Sequence, residues 1–153
     1  MLLILVIICS MNAWTETTLG TLRAAGYRGG GARRTVVELL GRQDCCLTAQ
    51  EIFDRLRDEG RTVGIASVYR VLDLLGEQGL VQRVDVGAGT ARYEPVLPSG
   101  EHHHHLVCDD CGKVEAFEDP GLEQAIHRLE GRTGYSVAAH DVVLRGACGD
   151  CRS

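Results

Sequence analysis

The sequence has 153 residues, of which 44% are hydrophobic and 24% are charged, and its formal net charge is −5. This length and composition are typical of one or two small globular domains and exclude an intrinsically disordered chain. The charge is unevenly spread, because residues 11–42 contain five Arg and two Glu. A local basic stretch on an acidic chain is typical of a modest DNA contact rather than of general polyanion binding.

The first residues, Met1 to Ile8, form an apolar run that is much shorter than the roughly 20 residues of a membrane-spanning helix. No Lys or Arg precedes this run, so it also lacks the positive region of a signal peptide. We expect residues 1–14 to be a disordered or over-extended N-terminus, with Met11 as the true start. The chain that follows is typical of a cytoplasmic protein that has no membrane partner.

The first half of the chain shows helical apolar patterns that end at glycines, followed by a hairpin signal. The predicted helices cover residues 15–25, 32–40, 49–58 and 65–78, and the predicted strands cover residues 80–86 and 91–94. Thr48 and Glu51 form a capping box, in which each side chain accepts a hydrogen bond from the other residue's amide. The last three of these helices and the hairpin are in the order of a winged helix-turn-helix, which we assign to residues 15–95.

The second half has a different pattern. Residues 96–101 are predicted to be a hinge, and residues 102–153 a second small domain. In this domain the pattern predicts strands at 103–108, 113–117 and 135–144, and a helix at 120–132. The predicted fold class is therefore α+β, with an N-terminal winged helix-turn-helix DNA-binding domain followed by a small α/β domain.

The second helix of a helix-turn-helix motif places its N-terminal residues against base edges in the major groove. Here that helix begins near Ile65 and would present Ser67, Tyr69 and Arg70. Ser67 and Tyr69 can contact bases or phosphates, and Arg70 suits a phosphate. From periodicity alone, an ordinary exposed helix face is an equally good interpretation of these residues.

Two matched Cys-x-x-Cys pairs, separated by 36 residues, consist of Cys108, Cys111, Cys148 and Cys151. The two-residue spacing lets both sulfurs of a pair reach one ion at about 2.3 Å, and four thiolates complete a closed tetrahedral zinc site. Free or redox-active thiols and a secreted disulfide scaffold are the alternatives. The spacing favours structural zinc over both.

Four consecutive histidines, His102, His103, His104 and His105, precede the first cysteine pair at the start of a predicted strand. Alternate strand residues point to opposite sides, so His102 and His104 share one side while His103 and His105 share the other. This arrangement predicts two metal sites, one on each face, rather than one site that uses all four imidazoles.

These motifs resemble the ferric uptake regulator (Fur) family of bacterial metalloregulators, and the resemblance spans about Leu19 to Cys151. It is carried by the capping-box segment 48–52, the segment 67–72, the His tract with its first cysteine pair, His140 and the second cysteine pair. The resemblance implies a homodimeric winged-helix repressor that binds double-stranded operator DNA when loaded with metal. The second domain, 102–153, would then be a metal-binding dimerisation domain.

The resemblance also implies roles for individual residues. The structural zinc ligands would be Cys108, Cys111, Cys148 and Cys151; a second site in the dimerisation domain would use His102, His104, Glu123 and His140; the sensory hinge site would use His103 and His105; and the DNA contacts would include Arg33, Tyr69 and Arg70. Residues 29–31 are three glycines where the family tends to have Thr-Pro-Gln, so this helix start lacks a side-chain cap.

The remaining sensory ligands differ from those of both the zinc-sensing and the iron-sensing members of the family. The Thr-Ala-Gln-Glu segment resembles zinc uptake regulators most closely, but the Cys that these proteins usually carry shortly before the His tract is missing. Glu94 matches a Glu of iron-sensing members, and Cys46 stands where those members have a His. We therefore expect a sensory site of Cys46, Glu94, His103 and His105, with a buried turn residue as the alternative role for Cys46.

These assignments predict Zn²⁺ as the cofactor, with one structural ion and one or two regulatory ions per subunit. Fe²⁺ at the regulatory site is the alternative, because thiolate, imidazole and carboxylate together suit zinc without excluding ferrous iron. A peroxide-responsive repressor of the same family is a further alternative, with Cys45 and Cys46 as an oxidisable pair. No catalytic residues and no small-molecule substrate are expected, because the sequence has no metalloprotease motif, phosphate loop or nucleophile–base pattern.

Overall fold

The chain divides into two units, Met1–Glu101 and His102–Ser153. The computed structural model describes residues 2–87, 89–98, 100 and 102–152, and for residues 2–12 it describes the backbone alone. Ala88 of the predicted hairpin turn, and Ser99 and Glu101 of the predicted hinge, lie outside the described residues. Among the described residues, no helix combines the length and apolar character that crossing a membrane requires.

The first unit contains helices and a small sheet in the order of a winged helix-turn-helix. The elements are α1 (Leu2–Ala24), α2 (Gly31–Leu40), β1 (Leu47–Thr48), α3 (Ala49–Asp58), α4 (Ile65–Glu77), β2 (Val81–Val84) and β3 (Arg92–Pro95). The strands form an antiparallel sheet in the order β1-β3-β2. This architecture confirms the predicted helices and hairpin and adds the short strand β1, which the sequence pattern had not indicated.

Helix α1 differs from its prediction. We expected a disordered or over-extended segment over residues 1–14; the backbone is helical from Leu2 onward, which does not fit disorder, and a true start at Met11 stays a prediction. The Trp14 side chain is only 1% exposed, and its indole Nε1 donates a hydrogen bond to the Leu80 carbonyl at 3.2 Å. Because it is buried, Trp14 belongs to the core of the first unit. Its hydrogen bond joins α1 to the residue that precedes the hairpin strand β2.

The helix-turn-helix is organised by the capping box at the start of α3. The Glu51 amide donates to Thr48 Oγ1 at 3.0 Å, and the Thr48 amide donates to Glu51 Oε2 at 2.7 Å, as predicted. The apolar stripe of α4 packs into the same core as α3, with Val68 and Leu72 buried on α4 and Ile52 on α3. Because one face of α4 is fixed in this way, its opposite face points to solvent.

The second unit is a three-stranded sheet with one helix. Its elements are β4 (His104–Cys108), β5 (Val114–Phe117), α5 (Pro120–Thr133) and β6 (Val143–Gly146). The strand order is β5-β4-β6, with β5 antiparallel and β6 parallel to β4. Asp119 caps α5 by accepting from the Leu122 amide at 2.8 Å, and Gly134 ends the helix at a φ of 74°, a conformation suited to glycine.

The predicted strand at residues 135–144 is wrong over most of its length, because β6 begins only at Val143. The preceding segment instead folds against the end of α5. The Val137 amide donates to Glu130 Oε1 at 2.7 Å, and the Tyr135 side chain is 77% exposed. A side-chain carboxylate thus takes the amide that a neighbouring strand would otherwise have bonded.

Candidate metal centres and nucleic-acid interface

The two cysteine pairs lie at one edge of the second sheet. Cys108 is the last residue of β4 and pairs with Gly146, the last residue of the parallel strand β6. Parallel strands end at the same edge of a sheet, so the turns that follow them meet there. The Gly112 amide closes the first turn on the Cys108 carbonyl at 2.9 Å, and Gly112 has a φ of 74°, which favours glycine.

The four sulfurs of Cys108, Cys111, Cys148 and Cys151 lie within 4.8 Å of one another. The Cys111 and Cys148 sulfurs are 3.8 Å apart. A tetrahedral ion with bonds of about 2.3 Å to sulfur separates its ligands by about 3.8 Å. Both the spacing and the donor set therefore fit Zn²⁺.

Backbone amides prepare one of these thiols for metal. The Cys148 amide donates to Cys108 Sγ at 3.3 Å, and this bond, with the Cys111 amide, lowers the pKa of Cys108 to about 6. The contact of Cys151 with Cys148 raises the pKa of Cys151 to about 12. The four sulfurs are therefore not equivalent, and because a metal binds thiolates, binding would release protons.

An ion pair fixes the first cysteine turn to β6. Arg145 Nη2 lies 2.6 Å from Asp109 Oδ1, and the Asp109 amide donates to the Gly146 carbonyl at 2.8 Å. No local sequence pattern indicates this pair, because the partners are 36 positions apart. The parallel pairing of β4 with β6 brings them together.

The second predicted cluster is also assembled within the second unit. Its ligand atoms, from His102, His104, Glu123 and His140, lie within 4.8 Å of one another. Glu123 Oε1 is 2.7 Å from His104 Nε2, 3.3 Å from His140 Nε2 and 3.5 Å from His102 Nε2. A tetrahedral ion with bonds of about 2.0–2.1 Å to nitrogen and oxygen separates its ligands by about 3.3 Å. Three imidazoles and one carboxylate at these distances fit a divalent ion such as Zn²⁺.

Glu123 is the negative centre of this cluster. Its bond with His104 is the main cause that holds the pKa of the Glu123 carboxyl below its usual range, with further contributions from His140 and His102. The carboxylate therefore remains ionised at neutral pH. It comes from α5, whereas the imidazoles come from the His tract and from the segment before β6, so one ion here would bind three parts of the unit together.

The predicted sensory residues divide between the two units. Cys46 and Glu94 belong to the first unit, and both are buried. Glu94 Oε1 accepts from Gln82 Nε2 at 2.5 Å across the hairpin. His103 and His105 belong to the second unit, and their ring centroids are 5.3 Å apart.

Arg92 is a further residue that sequence reasoning missed. Its guanidinium donates to both carboxylate oxygens of Glu51, at 3.0 and 3.3 Å, and to the Cys46 carbonyl at 3.2 Å. Arg92 thereby holds the turn before β1 against the capping box of α3. The signal that could have found it is strand alternation, which puts Arg92 on the same face of β3 as Glu94.

The candidate nucleic-acid interface is the exposed face of α4. Tyr69 is 49% exposed, and Arg70 is exposed and donates from Nη2 to Ser67 Oγ at 3.0 Å. All three predicted residues therefore lie near the start of α4, within one turn of each other.

Arg33, the remaining predicted DNA contact, lies near the start of α2 rather than on α4, and its guanidinium contacts other residues of the chain. Its Nη1 donates to the Arg28 carbonyl, and its guanidinium carbon lies 5.5 Å from the centre of the Tyr27 ring. The N-cap of α2 is Gly30, which makes no side-chain cap bond, as the three glycines indicated. Contact with a phosphate would require Arg33 to share or leave these partners.

Sequence comparison decides the family. The sequence profile of the ferric uptake regulator family matches residues 24–145. The chain belongs to this family. The family's members are metal-responsive, DNA-binding transcriptional regulators and not enzymes.

Individual relatives within the ferric uptake regulator family are similar over most of their length. The ferric uptake regulation protein of Neisseria gonorrhoeae is 31% identical over 138 residues, which cover 90% of this chain and 94% of that protein. The Helicobacter pylori regulator, in which three functional metal-binding sites are known, superposes with a TM-score of 0.78 at 26% identity, covering 92% of this chain and 93% of that one. The Vibrio cholerae regulator superposes with a TM-score of 0.73 at 32% identity, and the superposition covers 84% of this chain and 98% of that one.

Glu130 of α5 holds the segment that carries His140, a residue of the second cluster. Its bond from the Val137 amide, and then its contact with His127, hold the pKa of Glu130 below its usual range. A depressed pKa means that this carboxylate stabilises the fold above its ordinary pKa, and that the contribution disappears as pH falls through the lowered value. The bond fixes the segment that leads to His140.

We expect Glu130→Ala, which removes the acceptor of the Val137 amide, to weaken zinc binding at the second cluster by about 10-fold, because loss of an outer supporting contact lets a ligand move. Zinc titration of the protein with its four-cysteine site filled measures this change. Glu115→Ala, which removes an exposed ion pair with Lys113, is the matched control and should bind as wild type does. Equal affinities for the two variants would contradict a supporting role for Glu130.

Proposed function

We propose that the protein is a zinc-responsive transcriptional repressor that binds double-stranded operator DNA as a homodimer in the cytoplasm. The observation that carries this proposal is the chemistry of its donors. Four thiolates and a cluster of three imidazoles with one carboxylate occur at the spacings of tetrahedral zinc ligands. A thiol at the sensory position favours the same ion.

The sensory site of this proposal consists of Cys46, Glu94, His103 and His105. Two ligands come from each unit, so coordination of all four favours the arrangement of units in which they can meet. A bound ion coordinates all four donors at once. It raises the population of molecules with that arrangement of units only because it binds that arrangement more tightly than others. The recognition helices of the two subunits would then fit successive major grooves, about 34 Å apart.

Apolar exposure in the second unit supports homodimerisation. Among its described residues, α5 has no fully buried side chain, and Leu129 is 48% exposed. Leu106 and Leu144, on the neighbouring strands β4 and β6, are also largely exposed. A small unit with this much exposed apolar surface is typical of a domain that is completed by a second copy.

The second candidate is a ferrous-iron-responsive repressor. The observation that favours it is Glu94, which is 2% exposed and would supply a hard oxygen ligand to the proposed sensory site. The two candidates share the DNA interface and the structural zinc, so only the metal dependence separates them.

Metal titration of DNA binding tests the proposal. A labelled duplex, selected from a random pool by the zinc-loaded protein, is titrated with protein in buffered zinc, in anaerobic ferrous iron, or with a mild chelator. We expect zinc to strengthen binding by at least about 10-fold over the chelated protein, in the usual range of allosteric coupling. A stronger response to iron would support the second candidate, and binding that is unchanged by the chelator would contradict both.

A further inference from the structure

Two adjacent cysteines before β1 place their sulfurs side by side. Cys45 Sγ and Cys46 Sγ are 3.8 Å apart. Neighbouring residues of an extended chain point to opposite sides, so this proximity requires a bend, and the backbone bends at Asp44 and Cys45. The separation equals that of Cys111 and Cys148 in the four-cysteine cluster, and it matches two ligands of one tetrahedral zinc ion.

The bend is held from both sides. Arg92 donates to the Cys46 carbonyl at 3.2 Å and is itself bound to Glu51 of the capping box. Immediately after Cys46, Leu47 enters β1 and pairs with Tyr93 of β3. These contacts come from the fold of the first unit and fix the backbone at Cys46 and Leu47, directly after the bend that brings the two sulfurs together.

We propose that Cys45 is a ligand of the sensory site, so that Cys45 and Cys46 bind the regulatory ion as a pair. This inference rests on the proposed function and refines its ligand set. Two thiolates with the imidazoles of His103 and His105 complete four donors, and Glu94, which already accepts from Gln82, is then not required as a ligand. A set of two sulfurs and two nitrogens is typical of zinc, and it binds the harder ferrous ion less well.

Anaerobic Co²⁺ titration of the full-length protein, with zinc in the four-cysteine site, measures the number of thiolate ligands through sulfur-to-cobalt charge-transfer absorption. We expect Cys45→Ser and Cys46→Ser each to lose about half of the absorption of the added ion, since each removes one of two sulfurs. Glu94→Gln should keep the full absorption. Cys9→Ser is the matched control, because Cys9 is adjacent to no other cysteine and belongs to neither Cys-x-x-Cys pair in the sequence.

Retained zinc, measured on the same samples, shows that cobalt has not entered the four-cysteine site. Wild-type absorption in Cys45→Ser would overturn the inference, as would loss of cobalt binding in Glu94→Gln while Cys45→Ser binds normally. Operator binding by the wild-type protein reports separately on the proposed function, because metal-dependent binding could persist with Cys46 as the only thiolate.

A second measurement needs no substituted protein and therefore does not depend on folding of the variants. Alkylation of each cysteine in the wild-type protein is followed by mass spectrometry with and without one added equivalent of zinc. We expect zinc to slow alkylation of Cys45 and Cys46 together by about 10-fold or more, because a coordinated thiolate is a poor nucleophile, and to leave the rate at Cys9 unchanged. Protection of Cys46 without Cys45 would overturn the inference.

Discussion

Replacing Cys111 with serine is expected to remove the structural zinc and to leave the second unit largely unfolded, while the helices of the first unit remain. The Cys111 side chain is exposed, so its loss takes little packing from the metal-free fold. The effect therefore comes through the ion, whose binding to such sites contributes on the order of 10 kcal/mol in apparent terms. A small unit in which the described part of α5 buries no side chain has little else to replace that contribution.

Zinc that survives dialysis, and thermal unfolding followed by circular dichroism, measure this result. Cys9→Ser is again the matched control and should retain both the zinc and the unfolding transition. A Cys111→Ser protein that kept wild-type zinc content and an unchanged transition would show that the four sulfurs do not form the structural site. Loss of zinc without unfolding would instead show that the sheet is stable alone.

Local sequence patterns predicted much of this molecule because the interactions behind them are local. The capping box joins Thr48 to a residue three positions away, and each cysteine turn spans four residues. Strand alternation separated the His tract into two pairs, and the structure brings His102 and His104 together with His140. The pairing of Glu123 with these imidazoles came only from the family resemblance, since no local pattern connects α5 to the tract.

The features that the sequence could not predict depend on contacts between distant segments. Burial of Trp14 depends on the Leu80 carbonyl, which lies 66 positions away. In the segment before β6, the Val137 amide donates to Glu130 of α5 rather than to a neighbouring strand. An apolar alternation pattern records neither contact, so it extends a strand where the chain in fact bonds to a helix.

Replacing Tyr69 with alanine is expected to weaken binding of the selected duplex by about 10- to 100-fold in the presence of zinc, because one lost base contact costs roughly 1–3 kcal/mol. The stability of the protein should change little, since Tyr69 is on the exposed face of α4 and the buried stripe of Val68 and Leu72 is untouched. Fluorescence anisotropy with the selected duplex and with a scrambled duplex measures the affinities. Asp73→Ala, one turn further along the same exposed face, is the matched control.

Arg70 should behave differently from Tyr69 if the two have the roles that their chemistry favours. A phosphate contact carries no sequence information, so Arg70→Ala should weaken both duplexes similarly and reduce the slope of affinity against salt by about one ion. Tyr69→Ala should instead weaken the selected duplex more than the scrambled one and leave the slope nearly unchanged. Wild-type affinity in both variants would contradict α4 as the recognition helix, whereas an equal loss on both duplexes would assign Tyr69 to the phosphates as well. The salt slope thus separates the residue that reads sequence from the residue that positions the helix.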